Sequence, residues 1–190
     1  MGPVGVLALQ GDFREHQQSI ERAGANSVQV RRPEDLEGIS ALVIPGGEST
    51  TIGRLATLYG LIDPLRRVIA GGLPTFGTCA GLILLAMDAV GDSPPQLESL
   101  DVVVARNAFG RQNDSFETPI AVDGLAAPFV GVFIRAPQIV KIGPEVEILA
   151  TYDEQTVMVR QGNILACAFH PELTDDIRIH EMLLTMREEH

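Results

Sequence analysis

Short apolar runs alternate with longer amphipathic segments in the first half of the chain. The first amphipathic segment, residues 12–25, places Phe13, Ile20 and Ala23 on one helical face. A strand–helix–strand order of this kind predicts a parallel sheet covered by helices on both faces. The predicted strands are 4–9, 27–30, 41–45 and 73–76, and the predicted helices are 12–25, 50–60, 63–72 and an apolar one that follows residue 79.

From about residue 100 onwards, strand-like runs follow one another with few helices between them, which predicts antiparallel strands or hairpins added to the sheet. A helix is predicted over about 174–188. The expected fold is therefore α/β: a single-domain three-layer sandwich over 1–190, with a mostly parallel central sheet and added antiparallel strands. The strand-like runs are 101–105, 118–122, 131–136, 146–150, 156–160 and 164–169.

Composition and charge exclude several classes of protein. Hydrophobic residues make up 45% and charged residues 21% of the chain, as in ordinary globular domains. The net charge of −11 argues against nucleic-acid binding, which needs clustered Lys and Arg, and against anionic membranes. The longest apolar stretch, 73–90, is interrupted by Gly77, Gly81 and Asp88, so we expect a buried core helix and no membrane span. Two cysteines and no secretory-signal pattern favour a cytoplasmic protein with reduced thiols.

A candidate nucleophile lies in the stretch TFGTCAGLIL. Its centre, Gly77-Thr78-Cys79-Ala80-Gly81, has the G-x-C-x-G form of a nucleophile elbow. The glycines let a strand and the next helix approach closely, and the thiol then lies at a helix N-terminus, where free N–H groups favour the thiolate. The N–H of Ala80 would donate to an oxyanion. The alternative interpretation is a buried structural cysteine.

Of the four histidines, His170 is the candidate base. It follows an apolar run, and an extended chain would put His170 and Glu172 on the same side, as a Cys-His-acid site requires. We interpret His16 as solvent-facing and His180, like His190, as part of a polar C-terminal region. The second thiol, Cys167, falls on the opposite strand face from His170 and is interpreted as core packing.

The stretch ALVIPGGESTT predicts the other half of an oxyanion hole. Gly46 and Gly47 expose backbone N–H groups just after a strand, and Ser49 or Thr50 is expected to cap the next helix. A plain turn or a phosphate nest is the alternative. No Walker lysine follows and no G-x-G-x-x-G occurs, so a nucleotide site is poorly supported. The histidines and cysteines do not have zinc-ligand spacing, so no metal is expected.

Two motifs, FGTCAGLILLA and FHPELT, resemble those of the class I (triad) glutamine amidotransferases. Four further stretches are similar to the glutaminase subunits of pyridoxal 5′-phosphate synthases: LALQGDFREH, PGGESTTIG, RNAFGRQNDSFE and GVFIRAP. The resemblance extends from about Val4 to Thr174. The triad motifs indicate only the superfamily, whereas PGGEST and RNAFGRQ make the narrower match specific.

The resemblance implies a role for each matching residue. It makes Cys79 the nucleophile, with His170 and Glu172 completing the triad. A free amino acid brings an ammonium and a carboxylate, for which an acidic side chain and an arginine are suitable partners. Gln10 resembles a family residue near the oxyanion loop. The implied glutamine contacts are Gly46, Gly47, Glu48, Arg106, Ile134 and Arg135.

The implied activity is hydrolysis of L-glutamine to L-glutamate and ammonia through a γ-glutamyl thioester, without a cofactor. The implied partner is a separate synthase subunit, which uses the ammonia to build pyridoxal 5′-phosphate from a pentose phosphate and a triose phosphate. Two alternatives stay open: a stand-alone thiol hydrolase of γ-glutamyl or other peptides, and a catalytically inactive regulatory subunit.

Overall fold

Twelve strands and five α-helices make up the computed structural model, which describes residues 1–91, 95–106 and 115–188. The strands, in chain order, are β1 (Val4–Leu7), β2 (Ser27–Val30), β3 (Ala41–Ile44), β4 (Thr75–Thr78), β5 (Ala86–Val90), β6 (Leu100–Ala105), β7 (Phe116–Ile120), β8 (Phe129–Phe133), β9 (Gln138–Ile142), β10 (Glu147–Tyr152), β11 (Gln155–Gln161) and β12 (Ile164–Cys167). The helices are α1 (Phe13–Arg22), α2 (Ser49–Leu58), α3 (Ile62–Ala70), α4 (Ala80–Leu85) and α5 (Arg178–Glu188).

The central sheet has seven strands in the order β10-β11-β12-β4-β3-β1-β2. The five strands from β12 to β2 are parallel, while β11 pairs antiparallel with both β10 and β12. Every residue of β1, β3, β4 and β12 is buried, because both faces of these parallel strands are covered. The prediction of a mostly parallel sheet with added antiparallel strands is confirmed.

Helices cover both faces of this sheet. The chain moves outward from β1 to β2 and then back across β1 to β3 and β4, so right-handed crossovers put α1 on one face and α2 and α3 on the other. The helix α5 contacts α1, and α4 contacts α2. The result is the predicted three-layer sandwich. None of the helices in the described ranges is long and apolar enough to cross a membrane.

Three helix predictions differ from the structure by more than two residues at one end, whereas those for α2 and α3 agree to within two residues. The first helix ends at Arg22 and not at residue 25, because Gly24, with φ 86°, turns the chain. The last helix begins at Arg178, since Asp176 accepts a hydrogen bond from the Arg178 N–H and forms a local turn before it. The helix after Cys79 stops at Leu85, and residues 86–90 form β5, which pairs in parallel with β6.

The sequence predicted that the added strands join the central sheet. Only some of them do. A three-stranded sheet (β5-β6-β9) and a two-stranded sheet (β7-β8) are separate. Strand β9 was not predicted. Neither was the pairing of β5 with β6, because an apolar run alone does not distinguish a helix from a strand whose partner is remote in sequence.

Candidate active site

Cys79 lies at a tight turn between β4 and α4, with φ 48° and ψ −100°. The flanking glycines, Gly77 and Gly81, let the backbones of neighbouring segments pack closely around this turn. A Cβ at Gly81 would lie 2.0 Å from the carbonyl oxygen of Ile44, and one at Gly77 would lie 2.9 Å from the backbone of Gly81. The turn therefore has the geometry of a nucleophile elbow at the carboxyl end of a central strand. The other thiol, Cys167, is fully buried in β12, where burial above all raises its pKa.

His170 follows the neighbouring strand β12, so its side chain reaches the same edge of the sheet as Cys79. Its Nδ1 lies 2.7 Å from Oε1 of Glu172, and both side chains are buried. The expected extended segment is absent here: Pro171–Leu173 forms a 3₁₀ turn. This turn folds the carboxylate of Glu172 back toward the ring of His170. The predicted contact between His170 and Glu172 is therefore present, although the backbone between them is a turn and not an extended segment.

A second carboxylate, which the sequence analysis did not single out, also faces His170. Oδ2 of Asp12 lies 3.4 Å from its Nδ1. Burial disfavours the imidazolium, but hydrogen bonds with Asp12, Cys79 and Glu172 outweigh burial and raise the pKa of His170 to about 12. These partners favour the protonated imidazole beside the candidate nucleophile. Asp12 follows β1 at the same carboxyl edge of the sheet. Its position after a predicted strand could have indicated from the sequence that it lies near the site.

The loop after β3 lies against this histidine. Gly46 backs onto the ring of His170, while its carbonyl oxygen accepts a hydrogen bond from the N–H of Asp12 at 3.1 Å. Gln10 supports the next peptide, because its Oε1 accepts from the N–H of Glu48 at 2.7 Å. Gly47 has φ 151°, and a Cβ there would lie 2.5 Å from Oε1 of Gln10. At Gly46 and at Gly47 alike, a side chain larger than a hydrogen atom would therefore clash with its neighbours.

Ala80 is the first residue of α4, and the N–H groups of a first helical turn have no partner within the helix. It borders the same cavity as Gly47. Two predicted oxyanion donors thus border the cavity that contains Cys79. Ile134 lies close by, and its carbonyl oxygen is 4.0 Å from Sγ of Cys79.

Glu48, and not Ser49 or Thr50, caps α2. Its carboxylate accepts hydrogen bonds from the backbone N–H groups of Thr50 and Thr51 and from the Thr51 hydroxyl. The Thr51 hydroxyl contributes most to the low pKa of Glu48, about 2. The capping prediction was wrong because a glutamate one residue earlier has the reach to accept the same donors.

Two arginines border the cavity. Arg106 lies 3.5 Å from Oε1 of Glu48 and donates to the Thr50 hydroxyl at 3.1 Å. Arg135 is exposed and has φ 43°, a left-handed conformation that is unusual for a side-chain-bearing residue. The rest of the motif that begins at Arg106, residues 107–112, lies outside the described residues.

These side chains surround one cavity of about 380 Å³. Its volume suits a small polar ligand. A larger cavity of about 630 Å³ lies near Gly162 and Asn163, before β12 begins, and so at the opposite edge of the sheet from the elbow. The smaller cavity is the candidate site because it contains the thiol and the histidine. It is lined by Gln10, Asp12, Gly47, Glu48, Ser49, Cys79, Ala80, Ile83, Arg106, Ile134, Arg135 and His170.

His16 and His180 are fully buried, so the interpretation of His16 as solvent-facing and of His180 as part of a polar region was wrong, while His190 lies outside the described residues. His16 contacts His180, Thr78 and Glu172 beneath the candidate site. The signal was present in the sequence: His16 lies three residues after Phe13 and four before Ile20, which puts it on the apolar face of α1. Its polar neighbours Glu15 and Gln17 obscured that spacing.

Potential metal ligands come together at one place among the described residues. Ligand atoms of Asp12, His170 and Glu172 lie within 4.8 Å of one another. The Nδ1 of His170, which would have to bind an ion there, is already hydrogen-bonded to Glu172. The arrangement suits a protonated imidazole between two carboxylates.

Comparisons with known proteins agree with this geometry. Residues 6–189 match the model of the SNO glutamine amidotransferase family. "Pyridoxal 5′-phosphate synthase subunit PdxT" of Pelotomaculum thermopropionicum is 59% identical over 95% of this chain and 93% of that protein. The protein of the same name from Geobacillus kaustophilus is 54% identical over 98% of this chain and 95% of its own length.

Solved structures give the same result. A crystal structure of a glutamine amidotransferase has a TM-score of 0.94 and 53% identity, covering 98% of this chain and all of that one. PurLQS of Thermotoga maritima, at 16% identity and a TM-score of 0.71, shares the fold alone. The family match, the sequence identities and the similarity of the structures lead to one conclusion: this chain belongs to the SNO glutamine amidotransferase family.

Proposed function

We propose that this chain is the glutaminase subunit of a pyridoxal 5′-phosphate synthase and hydrolyses L-glutamine to L-glutamate and ammonia. One observation carries the proposal: Cys79 and a carboxylate-paired His170 face the same 380 Å³ cavity. The match to a glutamine amidotransferase family supports the activity, and the names of relatives at 54% and 59% identity support the biosynthetic role.

Cys79, His170 and Glu172 carry out the chemistry in this proposal. With the proton held on His170, Cys79 attacks the side-chain amide carbon of glutamine as the thiolate. As the tetrahedral intermediate collapses, His170 gives its proton to the amide nitrogen, and ammonia leaves from a γ-glutamyl thioester. His170 then takes a proton from water, whose oxygen attacks the thioester. The C–S bond breaks, glutamate is released, and the thiolate and the imidazolium are restored.

The negative oxygen of both intermediates needs donors. We assign the N–H groups of Gly47 and Ala80 to this task, since both residues border the cavity that contains Cys79 and preorganised N–H donors are the usual oxyanion partners. Gln10 supports the loop, because it accepts from the N–H of the residue after Gly47. Asp12 accepts no substrate group in this scheme and helps to keep His170 protonated.

The amino-acid end of glutamine meets charged groups at the cavity rim. We assign the ammonium to the carboxylate of Glu48, which stays ionised at neutral pH. Arg135 is assigned to the α-carboxylate, and Arg106, already paired with Glu48, supports that side. Ile134 contributes the wall nearest to Cys79, and Gly46 lies behind the ring of His170.

Ammonia released into water becomes protonated and diffuses away, so a biosynthetic glutaminase has to deliver it to a partner. We propose that residues 1–190 form one glutaminase domain that docks on the synthase subunit, and that docking completes the Gly46–Gly47 oxyanion loop. Both cysteines are free thiols, which supports a cytoplasmic location.

The test measures glutamate and ammonia from L-glutamine with the purified chain, alone and with the purified synthase subunit. We expect hydrolysis that rises when the synthase is added, and none with Cys79→Ala. A γ-glutamyl peptide supplied in place of glutamine should be spared. Faster hydrolysis of the peptide would instead support a peptide hydrolase. No hydrolysis in any mixture, despite binding to the synthase, would support an inactive regulatory subunit.

A further inference from the structure

A buried row of polar side chains runs inward from the candidate triad. Oε1 of Glu172 contacts His170, and Oε2 of the same carboxylate points away from the cavity toward His16. The Nε2 of His16 lies 3.4 Å from that Oε2 and 3.1 Å from Oγ1 of Thr78, while its Nδ1 lies 2.9 Å from Nε2 of His180. His16 and His180 are both 0% exposed.

Both histidines of this row are neutral at neutral pH. Burial lowers the pKa of His16 well below its usual value, and repulsion by His180 and His170 in their protonated forms adds to that effect. Burial also lowers the pKa of His180 to about 4, with a smaller effect from Arg22. Each ring therefore carries one N–H, and the position of that hydrogen decides which contacts are favourable.

Only two arrangements of these hydrogens fit the contact between the rings. If His16 donates from Nδ1 to His180, its Nε2 lone pair can accept from the Thr78 hydroxyl but also faces the Glu172 carboxylate. The remaining N–H of His180, on Nδ1, then has no hydrogen-bond partner among the described residues. If His180 donates from Nε2, the hydrogen of His16 lies on Nε2, beside Oγ1 of Thr78 and Oε2 of Glu172. The second arrangement leaves an unpaired lone pair on Nδ1 of His180, where the first leaves an unpaired N–H. It also makes the contact between Nε2 of His16 and the Glu172 carboxylate attractive, whereas the first makes it repulsive.

We propose that His16 is a positioning residue for catalysis: as the Nε2–H tautomer it donates toward the inner oxygen of Glu172, and His180 fixes that tautomer. The proposal rests on the proposed role of Glu172 and His170 in glutamine hydrolysis. It adds two residues that neither contact the cavity nor belong to the triad.

The physical reason lies in the inner oxygen of Glu172. In the part of the chain that the structure describes, this buried atom has no partner that meets full hydrogen-bond geometry, and the Nε2 of His16 is the ring nitrogen beside it. A buried carboxylate is costly unless donors stabilise it. A donor at Oε2 fixes the carboxylate plane, so that Oε1 stays directed at the Nδ1 of His170 during both proton transfers.

The kinetic test compares His16→Leu with His16→Gln in the complex with the synthase. The leucine side chain removes the donor, whereas the glutamine amide keeps an N–H near the position of Nε2. We expect kcat per active site to fall about 10- to 100-fold in His16→Leu, the range for losing the outer partner of an oriented ligand. The KM for glutamine should change by less than about twofold, because His16 does not contact the cavity. His16→Gln should restore most of the kcat.

Ile20→Val is the matched control, since Ile20 is buried one turn further along the same face of α1. It should lower the Tm without lowering kcat per active site. If His16→Leu has the kcat of the control, or if His16→Gln is as impaired as His16→Leu, the positioning role is wrong.

The tautomer is measured separately on the unmodified chain by ¹⁵N NMR with labelled histidine, using His16→Gln to assign the resonances. We expect a pyrrole-type Nε2 and a pyridine-type Nδ1 in His16 at pH 7, and the opposite pattern would overturn the proposal. This measurement needs no catalysis. If the wild-type complex fails to hydrolyse glutamine, the proposed function fails while the tautomer assignment is still tested.

Discussion

Gly46 backs directly onto the ring of His170, so an added methyl group there tests how precisely that ring must be placed. A Cβ at Gly46 would lie 2.4 Å from Cε1 and 2.8 Å from Nδ1 of His170. The ring would have to move by about 0.6 Å to bring the closer contact to 3.0 Å, below which real Cβ contacts are essentially never found. The φ of Gly46 is not positive, so the backbone accepts alanine and the effect comes from the clash alone.

A displacement of about 1 Å at a reacting group can cost about 100-fold in rate. For Gly46→Ala we therefore expect kcat to fall about 10- to 100-fold in the complex with the synthase, measured as glutamate release. Overpacking should also lower the free energy of unfolding by about 1–3 kcal/mol. Gly71→Ala is the control, because its Cβ would meet only carbonyl oxygens of α3 at 3.2 and 3.4 Å. An unchanged kcat in Gly46→Ala would refute the argument that the position of the ring limits the rate.

Three further outcomes are expected. Cys79→Ala should abolish glutamine hydrolysis and Cys167→Ala should leave most of it, and equal activities of the two variants would remove Cys79 as the nucleophile. Glu48→Asp should raise the KM for glutamine at unchanged Tm, since aspartate caps a helix equally well but has a shorter reach, and an unchanged KM would place the ammonium elsewhere. Because burial lowers the pKa of His180 to about 4 and that of His16 below its usual value, the unfolded chain binds these protons more readily. The urea midpoint should therefore fall as the pH drops from about 6.5 toward 4, less so in His180→Gln, and a flat midpoint would contradict this.

The sequence predicted most of the parallel half of the fold because β1, β3, β4 and β12 are buried on both faces and appear as largely apolar runs. That same prediction placed the candidate site, since Gly46, Cys79 and His170 each follow such a run. The carboxyl ends of parallel strands share one edge of the sheet. The sequence alone thus indicated that three residues distant along the chain lie close together.

The features that the sequence analysis missed depend on contacts between distant segments. The apolar run after Cys79 was interpreted as one helix, but its second half is a strand because β6 lies beside it. His16 and His180 are separated by 164 residues and become buried by packing against each other. Spacing along α1 indicated the face on which His16 lies. It did not indicate that His180 would be the hydrogen-bond partner that makes burial of the imidazole favourable.

Strain at Cys79 gives a final prediction, in which activity and stability separate. With φ 48° and ψ −100°, this residue has a backbone that side-chain-bearing residues rarely adopt, at a cost of about 1–3 kcal/mol. Alanine at this position keeps the strain and glycine relieves it, although glycine elsewhere is less stable than alanine by about 0.5–1 kcal/mol. We therefore expect Cys79→Gly to exceed Cys79→Ala by about 1 kcal/mol in free energy of unfolding, which corresponds to about 2–4 °C in Tm for a chain of this size. Both variants lack the thiol, so thermal unfolding compares them without the contribution of the nucleophile itself. If the alanine variant is equally stable or more stable, the turn is not strained, and the thiol owes its position to packing against Gly77 and Gly81 alone.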